Sequence, residues 1–352
     1  DSRWLEWETA CWQPHSPIEG HSPLGLLQRV LGLRRPWDLV YTFSHHPIDQ
    51  WAARMVRRAS TFWMTDWCDL WSSTRGGLLD EALAPTAGTR PPWHRRLLRA
   101  AAHRIEDHLE EQAVRLADAT SIIVSPMRAE TRRLGVADDR VLHLISGADL
   151  RRIPVLDRAE CRRQLGIDPT VPVIGHVANY TPDNTQLEAA LERTLAAHPR
   201  AMMLSVGPTW YAPGGAAARA ERAGRLVNLG RRPFVEIPRL LGAADFLVMP
   251  LRDTPFNRCR WPNKLGDYLA AGRAVATTMV GDMGSIVAGW QVGVVGEPTN
   301  EGLAAAMMEL LADPPGADEM GARARRLAER RLSWASRIDR LVRFLRGHGL
   351  EL

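Results

Sequence analysis

Apolar positions along the chain come in short runs separated by amphipathic segments. WDLVYTF (37–43), TFWMTDW (61–67), ATSIIVS (119–125) and VLHLIS (141–146) predict buried strands. DQWAARMVRRA (49–59), the stretch 93–117 and the residues after Pro126 predict the helices between them. The pattern pauses at LRRIPVLDRAECRRQLGIDPTVP, a short helix between proline-bearing turns that reads as a domain junction. Alternation then resumes, with strands at 171–178, 201–207, 225–230, 244–250, 274–278 and 294–296. Helices are expected near 184–197, 236–243 and 262–271, then in EGLAAAMMELLAD and in a final segment through Trp334 to Leu345. Residues 1–35 show no period. Strands alternating with helices imply parallel sheets with crossovers. The expected layout is therefore α/β: two doubly wound domains, 1–165 and 166–333, with any ligand in the cleft at the carboxyl ends of both sheets.

Composition narrows the class. The chain has 352 residues, 45% hydrophobic and 24% charged, which suits two globular domains. It lacks the long apolar run of a membrane span and a signal-peptide pattern, and it begins with Asp1 rather than Met. Cys11, Cys68, Cys161 and Cys259 are far apart and include no C-x-x-C, so neither a zinc site nor a disulfide framework is expected, and a cytoplasmic location is. The net charge of +5 is spread over dispersed arginines without a nucleic-acid motif, so nucleic acid is not an expected partner. One local cluster, Arg95, Arg96, Arg99 and Arg104 near Trp93, Leu97 and Leu98, suits either a solvated helix face or peripheral contact of 93–104 with the inner face of a membrane. No G-x-G-x-x-G follows a strand, which argues against a dinucleotide-dependent oxidoreductase.

The most informative stretch is RWPNKLGDYLAAGRAV (260–275). Its Lys264 is the only lysine among 45 basic residues. An ammonium on a flexible stem makes a point contact to phosphate where a guanidinium imposes a planar fork, and Asp267, three residues on, shares its helix face. Gly281 to Ser285 is a glycine-bearing turn entering a helix, able to offer backbone N–H groups to an anion. P-N-K-L-G-D-Y-L-A-A-G-R-A-V-A-T-T followed by VGDMGSIVAGWQVG resembles the nucleotide-sugar-binding domain of family 4 glycosyltransferases, which have the GT-B fold of two Rossmann-like domains. LVNLGRRPFVEIPRLLGAADFLVMPL, ADATSIIVSPMRAETRRLG, ISGAD and the Ser333–Trp334 pair are similar to further family patterns, so the resemblance covers roughly residues 37–345.

The resemblance implies a bacterial-type transferase of the EC 2.4 class, moving a sugar from a nucleotide-sugar donor to a polysaccharide, lipid-linked or small-metabolite acceptor. It implies retention, no metal and no cofactor beyond the nucleotide sugar. Segment 334–352 is then a helix crossing back to the N-terminal domain. Donor-binding positions are Asn179, Arg231, Arg258, Arg260, Asn263, Lys264, Asp267, Gly281, Met283, Gly284 and Ser285, with Asp267 on the ribose and the cations on the diphosphate. Acceptor-side candidates at strand ends are His45, His46 and Asp66 as catalytic groups, with Asp69 beside them; TDWCDLW suits an aromatic wall and a tryptophan-rich core equally well. The chain departs from the family where Cys259 replaces a first glutamate, where Asn179 and Asn184 replace two cations, and in having nothing before Trp37 like the family's opening strand and Gly-rich loop. These departures motivate an alternative reading, a non-catalytic GT-B protein that binds a ligand or partner. A nucleotide-sugar epimerase is a further alternative.

Overall fold

Each apolar run becomes a strand because both faces of a parallel sheet are covered by crossover helices. The computed structural model describes residue 30 and residues 36–43, 47–71, 75–77, 93–177 and 183–351. In the first half, β1 (Leu39–Thr42), β2 (Phe62–Trp67), β3 (Ala119–Ile122) and β4 (Val141–His143) form a parallel sheet in that order. Helices α1 (Pro47–Val56), α2 (Trp93–Leu116) and α3 (Met127–Arg133) connect them, and Trp63, Met64 and Ile122 are fully buried. His45, His46 and Asn179 lie outside the described residues.

The second half opens with α4 (Arg158–Leu165), the short helix expected within the junction, which packs against the helix Ile237–Gly242. Its buried Arg162 donates to the carbonyls of Ala243 at 2.9 Å and Pro169 at 2.8 Å and to Asp245 Oδ2 at 2.7 Å. The strands are β5 (Val173–Val177), β6 (Met202–Val206), β7 (Leu226–Asn228), β8 (Phe246–Met249), β9 (Ala274–Thr278) and β10 (Gly293–Gly296). Helices α5 (Asn184–Ala197), α6 (Ala216–Arg222), α7 (Ile237–Gly242), α8 (Pro255–Arg258), α9 (Lys264–Ala270) and α10 (Gly281–Gly289) alternate with them. The order is β10-β9-β8-β5-β6-β7, all parallel, so the winding reverses between β5 and β8. Ligands of open α/β sheets bind outside the carboxyl ends of the strands at such a reversal.

Three helices follow: α11 (Asn300–Ala312), α12 (Pro314–Leu327) and, after a π turn at Ala328–Leu332, α13 (Trp334–Gly347). The sequence pattern did not predict α6, α8 or α12. In α12 the prolines that look like a break occupy the first turn, where no N–H is needed, and Asp313 caps it by accepting from the N–H of Gly316 at 3.0 Å.

Among the described residues, polar and close-packing contacts tie the two sheets together, and one apolar cluster runs from Trp67 and Ile122 to Leu265 and Leu269. Ala148 donates its N–H to the Leu332 carbonyl at 2.6 Å and bridges to Ser333. Helix α9 comes so close to this turn that a Cβ on Gly266 would sit 3.4 Å from Ala148 Cα. From the Ser333 cap, α13 lays Leu345 among Met64, Ala119 and Leu142 of the first sheet. Finally Asp282, in the first turn of α10, accepts from the Ser125 N–H at 2.7 Å and from the Ser125 hydroxyl, and lies 3.2 Å from His143 Nε2, both residues belonging to the first sheet's side.

Removing the Arg162 guanidinium by Arg162→Ala leaves two carbonyls and part of Asp245 without buried partners. Urea unfolding of the variant should show a loss of about 3 kcal/mol. A change under about 1 kcal/mol would mean that α4 is not anchored through this side chain.

Candidate active site

Strand β5 ends at Val177, beside the reversal, and one helix grips that end on both backbone groups. Lys264 Nζ donates to the Val177 carbonyl at 2.7 Å, and the Val177 N–H donates to the Tyr268 hydroxyl at 3.0 Å. Positions 264 and 268 are one helical turn apart, so the same face of α9 serves both. Burial, and then the charge of Arg260, lower the Lys264 ammonium to a pKa of about 8, with Asp183 acting the other way.

Asp183 is the fully buried carboxylate of this corner. Its Oδ1 accepts from the Arg252 N–H at 3.1 Å, Arg252 Nε at 3.2 Å and Asn257 Nδ2 at 2.9 Å, and its Oδ2 from Arg260 at 3.0 Å. Arg260 also lies over the Phe256 ring, 4.8 Å from its centroid. Three cations, Arg252, Arg260 and Lys264, thus gather at the carboxyl ends of β5 and β8.

Asp267 faces elsewhere. Its ionisation is governed by burial and by Asp149, which push its pKa up to about 6, while Arg152 opposes them. Lys264 and Asp267 therefore answer to different neighbours, although their spacing suggested one shared face. Arg152 in turn stacks 4.0 Å from the centroid of Phe234, in the loop after β7 that also carries the exposed Arg231.

The remaining donor candidates divide. Asn263 is exposed at the start of α9 without a side-chain cap bond. Arg258 turns to solvent, where Asp253 holds its guanidinium at 2.5 and 2.6 Å. Gly281 begins α10 at φ +55°, and a Cβ there would press on the Arg258 carbonyl at 3.0 Å. Gly284 packs against the backbone of Met279, Met283 is core, and Ser285 is exposed and bonds back to the Gly281 carbonyl at 3.2 Å. Sequence reasoning missed the neighbouring Asp282. Burial acts upward on its carboxyl, but the bonds from His143 and Ser125 outweigh it and hold the pKa below the usual range. Cys259 was expected to line the cleft. It packs in the core instead, where burial pushes its thiol up to about 11.

On the first sheet, Asp66 in β2 is engaged by the Ser121 hydroxyl of β3, and Ser121 meets the Tyr41 hydroxyl at 2.7 Å. Burial lifts Asp66 to about 6 against that bond. Asp69, just past the strand, is lifted to about 7 by burial; Arg260 of the second sheet lowers it, and Asp66 and Glu110 add to the rise. Asp69 is thus the first-sheet carboxylate that senses the cation cluster. The expected aromatic wall is only partly there, because Trp67 is buried and donates its Nε1 to Glu110 at 2.6 Å. No group of three or more His, Cys, Asp or Glu among the described residues is arranged to hold a metal ion.

This geometry has counterparts in known proteins. Residues 157–313, which carry the second sheet, match the family profile described as glycosyl transferases group 1. The chain is 29% identical over 213 residues to a GDP-mannose-dependent monoacylated alpha-(1-6)-phosphatidylinositol monomannoside mannosyltransferase of Corynebacterium glutamicum, a match covering 58% of this chain and 55% of that protein. It is 29% identical over 205 residues to a D-inositol 3-phosphate glycosyltransferase of Segniliparus rotundus, covering 56% of this chain and 44% of that one. The matches thus span about half the length of these curated relatives. Among solved structures, Anabaena HepE in complex with UDP superposes with a TM-score of 0.69 at 14% identity, covering 93% of this chain and 82% of that one. Two parallel-sheet α/β domains and these neighbours make the fold GT-B.

Proposed function

We propose that the protein is a glycosyltransferase that moves a sugar from a nucleotide-sugar donor to an acceptor hydroxyl. The observation that carries this reading is the cluster of Arg252, Arg260 and Lys264 at the reversal between β5 and β8, where an anionic ligand of an open α/β sheet belongs. In this reading the donor diphosphate lies on Arg260 and Lys264. The ribose hydroxyls bond to Asp267, and the base sits toward Phe234 and Arg231. The backbone of Gly281 to Ser285 faces the sugar and phosphate side. The acceptor oxygen bonds to the anomeric carbon while that carbon's bond to the diphosphate breaks. The electron pair leaves with the nucleoside diphosphate, whose charge the two cations stabilise.

The acceptor proton goes to Asp69, the carboxylate whose ionisation the Arg260 charge favours, with Asp66 acting on it through its charge. His45 and His46, at the end of β1 in sequence, are assigned to orienting the acceptor. Retention at the anomeric carbon follows the family resemblance, as does an acceptor of the polysaccharide, lipid-linked or small-metabolite kind. The curated relatives act on inositol-bearing acceptors, one of them a lipid. A membrane-borne acceptor is supported by the exposed Leu97 and Ile105 on α2, beside exposed Arg104. No described helix is long and apolar enough to cross a membrane.

A thermal-shift panel of nucleoside diphosphates and their sugars tests the donor site. The cognate ligand at 100 times its dissociation constant should add about 2.7 kcal/mol of apparent stability. Asp267→Ala should cost about 1.5–3 kcal/mol of that binding, and Lys264→Ala should weaken diphosphates more than nucleosides. Binding without turnover across inositol, glycolipid and polysaccharide acceptors would favour the ligand-binding alternative. Absence of any shift would overturn the site.

The pH profile tests the acceptor side. Only the ionised Asp69 accepts a proton, and its pKa is raised to about 7. Hence kcat/KM should rise with pH through about 7. Asp69→Asn should lower kcat by about 100-fold or more while leaving donor KM nearly unchanged. A profile flat from pH 5 to about 8 in the parent would remove Asp69 from this role.

A further inference from the structure

Asp183 stands at the position from which an aspartate ordinarily caps a helix. It immediately precedes α5, yet its side chain makes no bond to the free N–H groups of that helix. A capping bond of this kind is worth about 1 kcal/mol, and here it is forgone. Both carboxylate oxygens turn instead to residues far along the chain: Arg252, Asn257 and Arg260. A carboxylate with no exposure is tolerated only when paired and hydrogen-bonded, which this one is on both oxygens.

Arg252 and Arg260 pair with Asp183, Lys264 is close enough to feel both Asp183 and Arg260, and the charge of Arg260 also reaches Asp69. Asp183 fixes where two of these cations are displayed: one oxygen aligns Arg252 and the other aligns Arg260, which also stacks on the Phe256 ring.

We propose that Asp183 is a positioning residue for the donor diphosphate, holding Arg252 and Arg260 toward the reversal point at the expense of capping its own helix. This inference rests on the nucleotide-sugar reading above. It adds a residue whose part is to aim cations rather than to touch the ligand.

The experiment is calorimetric titration of the whole chain and of Asp183→Asn with uridine, uridine diphosphate, guanosine and guanosine diphosphate. Asparagine keeps the shape and one acceptor but releases the arginines from their ion pairs. The preference for the cognate diphosphate over its nucleoside should fall about tenfold or more in the variant, with nucleoside affinity held within about twofold. Asp183→Glu should recover part of the preference. An unchanged preference, even with a lower melting temperature, would show that Asp183 only stabilises the loop and would overturn the inference while leaving the donor site standing. A parent that binds no diphosphate would overturn both.

Discussion

A parallel sheet that reverses its winding leaves the ends of two adjacent strands without neighbours to cover them. That constraint governs the second half of this protein. The peptide groups at the end of β5 must be satisfied by something, and α9 supplies it through Lys264 and Tyr268 on one face. Holding α9 there brings its Asp267 toward the inter-domain turn and brings Arg260 over Asp183. The same contacts that complete the sheet therefore assemble the charged corner. In the proposed reading stability and binding share residues here, so a substitution at Lys264 reaches both.

The relation between the two sheets is held by a shared apolar cluster and by specific contacts. Ala148 meets Leu332 and Ser333, Gly266 lets α9 approach that turn, and Leu345 returns to the first core. Across the cleft mouth, Asp282 gathers Ser125 and His143 at the start of α10, where the helix dipole also favours its negative charge. All three groups are polar and partly exposed, so this bridge contributes orientation more than stability. The charge of Arg260 reaches Asp69 across the arrangement that these ties define and lowers its pKa against the rise from burial.

Much of the architecture was legible because short apolar runs and amphipathic segments carry their own local signal. All ten strands lie within the runs expected of them or one residue beyond, as in Val173–Val177 and Ala274–Thr278. Helix α12 was hidden because a Pro-Pro-Gly start reads as a break until the Asp313 cap is seen. At the site, Lys264 stood out through its rarity and Asp267 through a family pattern. Asp183 did not, because in TPDN an aspartate before a helix reads as a local cap, and its true partners lie 69 to 77 positions away. Asp282 and Ser125 are 157 positions apart, a separation that no periodicity encodes. Cys259 reads as a cleft residue from its neighbours in sequence, whereas burial assigns it to the core; for Trp67, where wall and core are equally open in the sequence, burial selects the core.

The solitary lysine has a consequence for labelling. Reagents that acylate or reductively alkylate amines find one side chain in this sequence to react with, and it sits against the end of β5. Its ammonium, softened to a pKa of about 8 by burial, yields the nucleophilic free amine at mildly alkaline pH. Apart from α-amino groups, a dye or crosslinker meets one amine along these 352 residues, and a change around the end of β5 could be followed from the rate at which that amine is modified.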